Sequence, residues 1–268
     1  MSTTTYTAPL QTGPATKINR HLKAEWTKLR TLPSTWRTAA IAATVALGLT
    51  VLVSLSQVSQ WHNMSAQQRG TFDATSVSLF GVLIAATLLG ALAVRTVTAE
   101  YATGMIRTTF SAMPARRLVL VAKAATVAAF VLPVALLIDI VGFELGQRIF
   151  ASKHIQVALS HPGVSRAIIF GAVAASLVAI IGVGLGGLIR HTAGATTALT
   201  LIVVGGVTLG QLLPAGVRQL LLPNAAQAAI TVHRSSGLLT PGAGIAVLGV
   251  WAAVALTAAL IRVAHRDA

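Results

Sequence analysis

The sequence predicts an all-α, polytopic membrane protein with six transmembrane helices, an N-terminal amphipathic helix and both termini in the cytoplasm. Three observations carry this. First, 54% of the 268 residues are hydrophobic and only 10% are charged, with a mean hydropathy of +0.77. A soluble domain carries about 25% charged residues, so this chain cannot cover a surface in water. Second, the apolar residues gather into six runs, each of about 18 residues or more, the length a hydrocarbon core of about 30 Å demands. Third, Lys and Arg sit in the breaks between runs, 14 on the side of the termini and 6 on the other. That bias puts both termini inside.

The same charge pattern excludes other classes. A net charge of +14 suits a nucleic-acid binder only when the charges form a face. Here topology and attraction to anionic membrane lipid account for them, and no nucleic acid is expected. The chain has no cysteine, so disulfides, thiolate metal sites and cysteine nucleophiles are out. Residues 1–16 are polar and Thr-rich without an apolar core, which reads as a disordered tail rather than a signal peptide.

Residues 17–33 form the amphipathic interface helix. Ile18, Leu22, Trp26 and Leu29 recur at helical spacing, and Pro33 ends it. Arg20, Lys23, Lys28 and Arg30, with Trp26, suit the inner headgroup layer. Residues 34–268 are the transmembrane domain. Its spans cover about 37–55, 76–97, 118–143, 167–189, 193–213 and 244–261. Ser34 or Thr35 caps the first span. Arg95 lies in the last turn of the second and can snorkel. Pro133 lies within the third, with Lys123 near its inner end.

Asp139 is the one carboxylate inside an apolar run, where insertion at midplane costs about 2.5–3.5 kcal/mol. Counting from Leu118 puts it roughly 32 Å along the helix, near the outer interface. It is therefore read as structural or as lining a pathway or outer vestibule, ahead of proton or ion coupling. Gly182, Gly184, Gly186 and Gly187 allow close packing of span four; no strand or Gly-Lys-Ser/Thr makes them a phosphate loop. Gly206 and Gly210 form a second small pair in span five. Residues 214–242 hold apolar pieces too short to span, read as re-entrant or interfacial helices.

The segment Glu100–Arg117, EYATGMIRTTFSAMPARR, separates spans two and three. Glu100, Gly104 and Arg107 at i, i+4 and i+7 would share one face of a helix that Pro114 ends, and Arg116 and Arg117 lead into span three. This reads as a short cytoplasmic helix on which a soluble partner pushes, with Gly104 the point of close approach.

Glu100-x-x-x-Gly104-x-x-Arg107 followed by Pro114-x-Arg116-Arg117 resembles the loop between the second and third spans of ABC type 2 exporter permeases. Ala24–Thr31 before span one and the Arg266-Asp267-Ala268 ending agree with that family. The resemblance implies the permease subunit of an ATP-driven exporter in a bacterial cell inner (cytoplasmic) membrane, an expectation the Ala-rich composition shares. It implies no chemistry and no cofactor in this chain; ATP and Mg would be bound by a separate ABC ATPase subunit. Glu100, Gly104, Arg107, Arg116 and Arg117 would couple to that ATPase. The interface helix, Arg20, Lys23, Trp26, Lys28 and Arg30, would touch it. Residues 214–242 would form an external gate, and the permease would act as a homo- or heterodimer.

Other classes make different demands. A secondary transporter or small channel driven by an ion gradient wants inverted repeats and midplane polar groups, and neither is evident. An intramembrane enzyme needs a nucleophile–base pair or metal ligands, whereas every His lies in a loop or terminus. A non-transporting scaffold or immunity protein stays open. The sparse polar residues of the spans suit an apolar or amphiphilic cargo.

Overall fold

The computed structural model describes residues 14–105, 116–233 and 237–265. Arg107, Pro114, the ending from Arg266 and most of the N-terminal tail lie outside them. Among the described residues, six helices are long and apolar enough to cross a membrane. The elements are α1 (Pro14–Thr31), α2 (Pro33–Gln60), α3 (Ala66–Gly70), α4 (Ala74–Ser78), α5 (Val82–Ala102), α6 (Arg116–Ala151) and α7 (Val164–Ile189). They continue with α8 (Thr192–Leu212), α9 (Ala215–Arg218), α10 (Leu222–Ile230) and α11 (Pro241–His265). No strand occurs among the described residues.

Several boundaries move outward from the sequence reading. α1 begins at Pro14, inside the stretch read as tail. α2 starts at Pro33, not near Arg37, with Leu32 at the N-cap position and no side-chain cap. Proline at the first helical position lacks only an N–H that would be orphaned anyway, so neither Ser34 nor Thr35 is needed as a cap. α6 runs unbroken through Pro133 to Ala151, eight residues beyond the expected end at Phe143.

α7 is the central helix. In its most apolar stretch 67% of residues are buried, against 28%, 22% and 28% for α2, α8 and α11. Its glycines explain the position. A Cβ on Gly182 would collide with the carbonyl oxygen of Gly90 on α5, and one on Gly184 would meet the Ala255 backbone of α11. Only hydrogen fits at those crossings, so small residues set the inter-helix distance. Around them Leu89, Val94, Val127, Val131, Val178, Ile181 and Leu199 form the largest buried core. The outer faces of α2, α8 and α11 stay exposed.

α8 is irregular, with a π-helical turn at Leu201–Gly205 and a 3₁₀ turn at Gly210–Leu212. Its small pair serves the connection that follows it rather than another span. Gly206 faces Pro223, and Gly210 faces Leu221 and Asn224, so α10 folds back against α8. α10 buries Leu222, Pro223, Ala225, Ala226, Ala228, Ala229 and Ile230. It is the short helical piece that the sequence anticipated between spans five and six.

Candidate functional site

The end of the bundle that carries α1 holds a closed ring of four charged side chains. Lys123 Nζ donates to Glu25 Oε2 at 2.6 Å and to Glu100 Oε1 at 3.0 Å. Lys28 Nζ donates to Glu25 Oε1 at 2.7 Å and to Glu100 Oε1 at 3.1 Å. Anions and cations alternate, so the ring is neutral. Glu25, Glu100 and Lys123 are almost wholly buried, while the Lys28 side chain is 42% exposed. Three helices contribute, and residues 25 and 123 are 98 positions apart.

The local sequence explains the placement. Glu25 and Leu29 lie one turn apart on α1 and are buried together, at 4% and 5% exposed. Trp26, expected on the apolar face, points outward at 36% exposure; Arg20, Lys23 and Arg30 are exposed as well. The buried stripe of α1 is therefore rotated towards Glu25, because two lysines can neutralise it there. Burial pushes the Glu25 carboxyl up, but Lys123 and then Lys28 outweigh that and hold it below the usual carboxylate range. Burial likewise pulls the Lys28 ammonium down, and Glu25 and Glu100 raise it above its ordinary value.

Glu100 ends α5, and here the sequence reading needs correcting. α5 stops at Ala102, and the Gly104 N–H bonds the Tyr101 carbonyl. Gly104 has φ +72° and nothing within 4 Å of where a Cβ would stand. It is a left-handed terminator, the role for which glycine is best suited, so α5 does not run on through it. Glu100 and Gly104 thus do not share a helical face; Glu100 turns inward to the ring and Gly104 turns the chain. Arg116 opens α6, and Arg117 beside it is exposed.

The end of α5 is also tied to the turn between α7 and α8. Thr98 and Thr192 hydroxyls lie 2.7 Å apart. The Arg190 guanidinium sits 5.0 Å from the Tyr101 ring centre, a cation–π distance. Arg190 itself has φ +58° as it caps α7.

The opposite end carries a second polar assembly. Asp73 caps α4 through Oδ1, which accepts from the Thr75 and Ser76 N–H groups. Its Oδ2 accepts from the Val232 and His233 N–H groups at 2.8 and 3.1 Å. Arg166 on α7 donates to the Thr231 carbonyl at 3.0 Å and the Ala229 carbonyl at 3.5 Å. One acid and one arginine thereby hold the C-terminal end of α10 from two sides.

Asp139 belongs to neither assembly. It is 3% exposed, its Oδ2 has no hydrogen-bond partner, and it abuts Gly171 of α7. The helix continues for twelve residues beyond it. In this conformation it is enclosed between α6 and α7.

Sequence reasoning named Glu100 and Lys28 but missed Glu25, Lys123 and Asp73 as site residues. A signal existed for the first two. Glu25 and Lys123 each break an otherwise apolar helical stripe, and opposite charges in such stripes need partners. Among the described residues no group of three or more His, Asp or Glu could hold a metal ion.

A family model described as ABC-2 family transporter protein matches residues 21–207, more than half of the chain. That range contains the ring, α2 to α7 and most of α8. No curated protein matches the chain. The six apolar helices and the family match agree: the chain belongs to the ABC-2 family of transporter proteins, as a multi-pass membrane permease component of an ABC transporter.

Proposed function

We propose that this chain is the permease subunit of an ATP-driven exporter, coupled to a separate ATPase through residues 100–117. The charge ring is the observation that carries the reading. It joins α1, the end of α5 and the start of α6, the elements that flank the coupling segment. Charge pairs in a low-dielectric site hold their geometry, and breaking one strands a buried charge. A push on the coupling segment would therefore move α1, α5 and α6 as one body. Thr98 and Arg190 would carry it on to α7 and α8.

In this reading the ring end faces the cytoplasm, as the Lys and Arg bias favours. Glu100 holds the ring, Gly104 turns the chain, and Arg107, Arg116 and Arg117 meet the ATPase. The exposed Arg20, Lys23, Trp26 and Arg30 face the headgroups or the ATPase rim, with Lys28 reaching inward. α10, held by Asp73 and Arg166, closes the external side. Asp139 reaches a pathway only when α6 and α7 part. The protein acts as a homo- or heterodimer in a bacterial inner membrane; ATP and Mg belong to the partner, and the cargo is apolar or amphiphilic.

The test is purification from native membranes. A stoichiometric partner carrying Gly-x-x-x-x-Gly-Lys-Ser/Thr, with ATPase activity dependent on this chain, is expected. Isolation of the chain alone, unaffected by ATP, would overturn the proposal and turn attention to ion-gradient transport.

A further inference from the structure

A cavity of about 220 Å³ lies beside the charge ring, between α1, the start of α2 and the end of α5. That is below the roughly 300–1,000 Å³ of a drug-sized site, so it suits a headgroup rather than a whole cargo. Its walls are mixed. Leu29, Leu32 and Leu92 give an apolar side; Arg95, Thr96 and Glu100 give a polar one.

Two unmet demands lie along its wall. Glu100 Oε1 accepts from both lysines of the ring, but the buried Oε2 has no partner. A buried carboxylate oxygen without a donor is costly, and a charged N–H is its strongest complement. Arg95 is exposed and forms no hydrogen bond or ion pair among the described residues. Because the ring is neutral, Arg95 is the net charge of the cavity, and its planar fork matches a phosphate. The two residues are about 7.5 Å apart along α5. Arg95 lies near the end of a span, the level at which long cationic side chains reach headgroups.

We propose that this cavity binds the headgroup of an aminophospholipid from the adjacent leaflet, its phosphate on Arg95 and its ammonium donating to Glu100 Oε2. The apolar wall takes the start of the acyl region. A choline headgroup has no N–H to give and leaves Oε2 unmet. The lipid thus completes the polar lining between α1 and α5 and makes that junction sensitive to membrane composition. This depends on the membrane reading alone and not on the ATPase.

The test uses the purified full chain in detergent with lipids of identical acyl chains: phosphatidylethanolamine, its N-methylated forms, phosphatidylcholine and phosphatidylglycerol. Native mass spectrometry reads bound lipid. Phosphatidylethanolamine is expected to bind at least about tenfold tighter than phosphatidylcholine, the ratio set by one charge-assisted hydrogen bond. Arg95→Gln, at an exposed position, is expected to lose that binding while the chain stays folded. Equal binding of the ethanolamine and choline lipids would overturn the proposal, as would tighter binding of phosphatidylglycerol or full retention by Arg95→Gln. Displacement of lipid by free phosphoethanolamine at matching concentration would assign the site to a soluble headgroup instead. None of these readings involves ATP, so they stand apart from the exporter test.

Discussion

The two ends of the bundle solve the same problem by different means. At the ring end, four side chains from three helices satisfy one another, charge against charge. At the opposite end, one carboxylate and one guanidinium satisfy backbone groups of a loop. A ring of paired charges is rigid as a unit and fails together when one member goes. A clamp on backbone amides and carbonyls is made of separate hydrogen bonds that can be released one side at a time. The first arrangement suits transmission of a displacement, the second suits an element that must open and close.

Removing Lys123 should separate the two ends most strongly. Lys123→Ala leaves Glu25 and Glu100 buried with only the half-exposed Lys28 between them, and should cost about 3–5 kcal/mol. Thermal unfolding in detergent measures the loss. Spin labels on α1 and α5 should show α1 leaving while α10 stays in place. Glu25→Gln combined with Lys123→Met should recover much of the stability, because a matched neutral pair strands no charge. If the double variant is as unstable as the single one, the ring is not the unit described.

Asp73→Asn is the matching break at the other end. Asparagine still caps α4, since it ranks with aspartate as an N-cap. Its amide nitrogen can replace Oδ2 but cannot accept from Val232 and His233. A loss of about 1–3 kcal/mol is expected. A His233→Cys probe, in a chain that has no cysteine of its own, should react faster with an impermeant maleimide. Unchanged labelling would mean that Arg166 alone holds α10.

Gly104→Ala sharpens the comparison at the turn that follows the ring's Glu100. A φ of +72° costs an L-residue about 1–2 kcal/mol. Since no atom lies near the Cβ position, the effect should be strain alone. Asparagine, which tolerates this region, should be milder than alanine. Equal, full activity and stability in both would remove the turn from the coupling scheme.

The smallest expected effect is that of pH. Glu25 is held below its unfolded value near 4.3. Its contribution is therefore complete above about pH 4.3 and is lost as pH falls through the lower folded value. Lys28 is raised above its ordinary value, so its contribution is complete below about pH 10.4 and is lost as pH rises through the higher folded value. Labels at Thr27→Cys and Thr103→Cys should keep a short separation from about pH 5 to about pH 10. Lengthening near neutral pH would contradict the ring.

Much of this molecule was legible along the chain, and the reason is local. Six spans, the amphipathic helix, the close-packing glycines of α7 and the short helix after α8 depend on composition and spacing within about thirty residues of one another. A span must satisfy its own backbone in hydrocarbon, and a Gly-rich stripe invites a neighbouring helix whichever one arrives. What only the tertiary structure decided is which charges meet. Glu25 with Lys123, and Asp73 with the amides of Val232 and His233, are 98, 159 and 160 positions apart. No periodicity encodes such pairs. Helix crossing geometry around α7 sets them, and that geometry depends on every buried side chain at once.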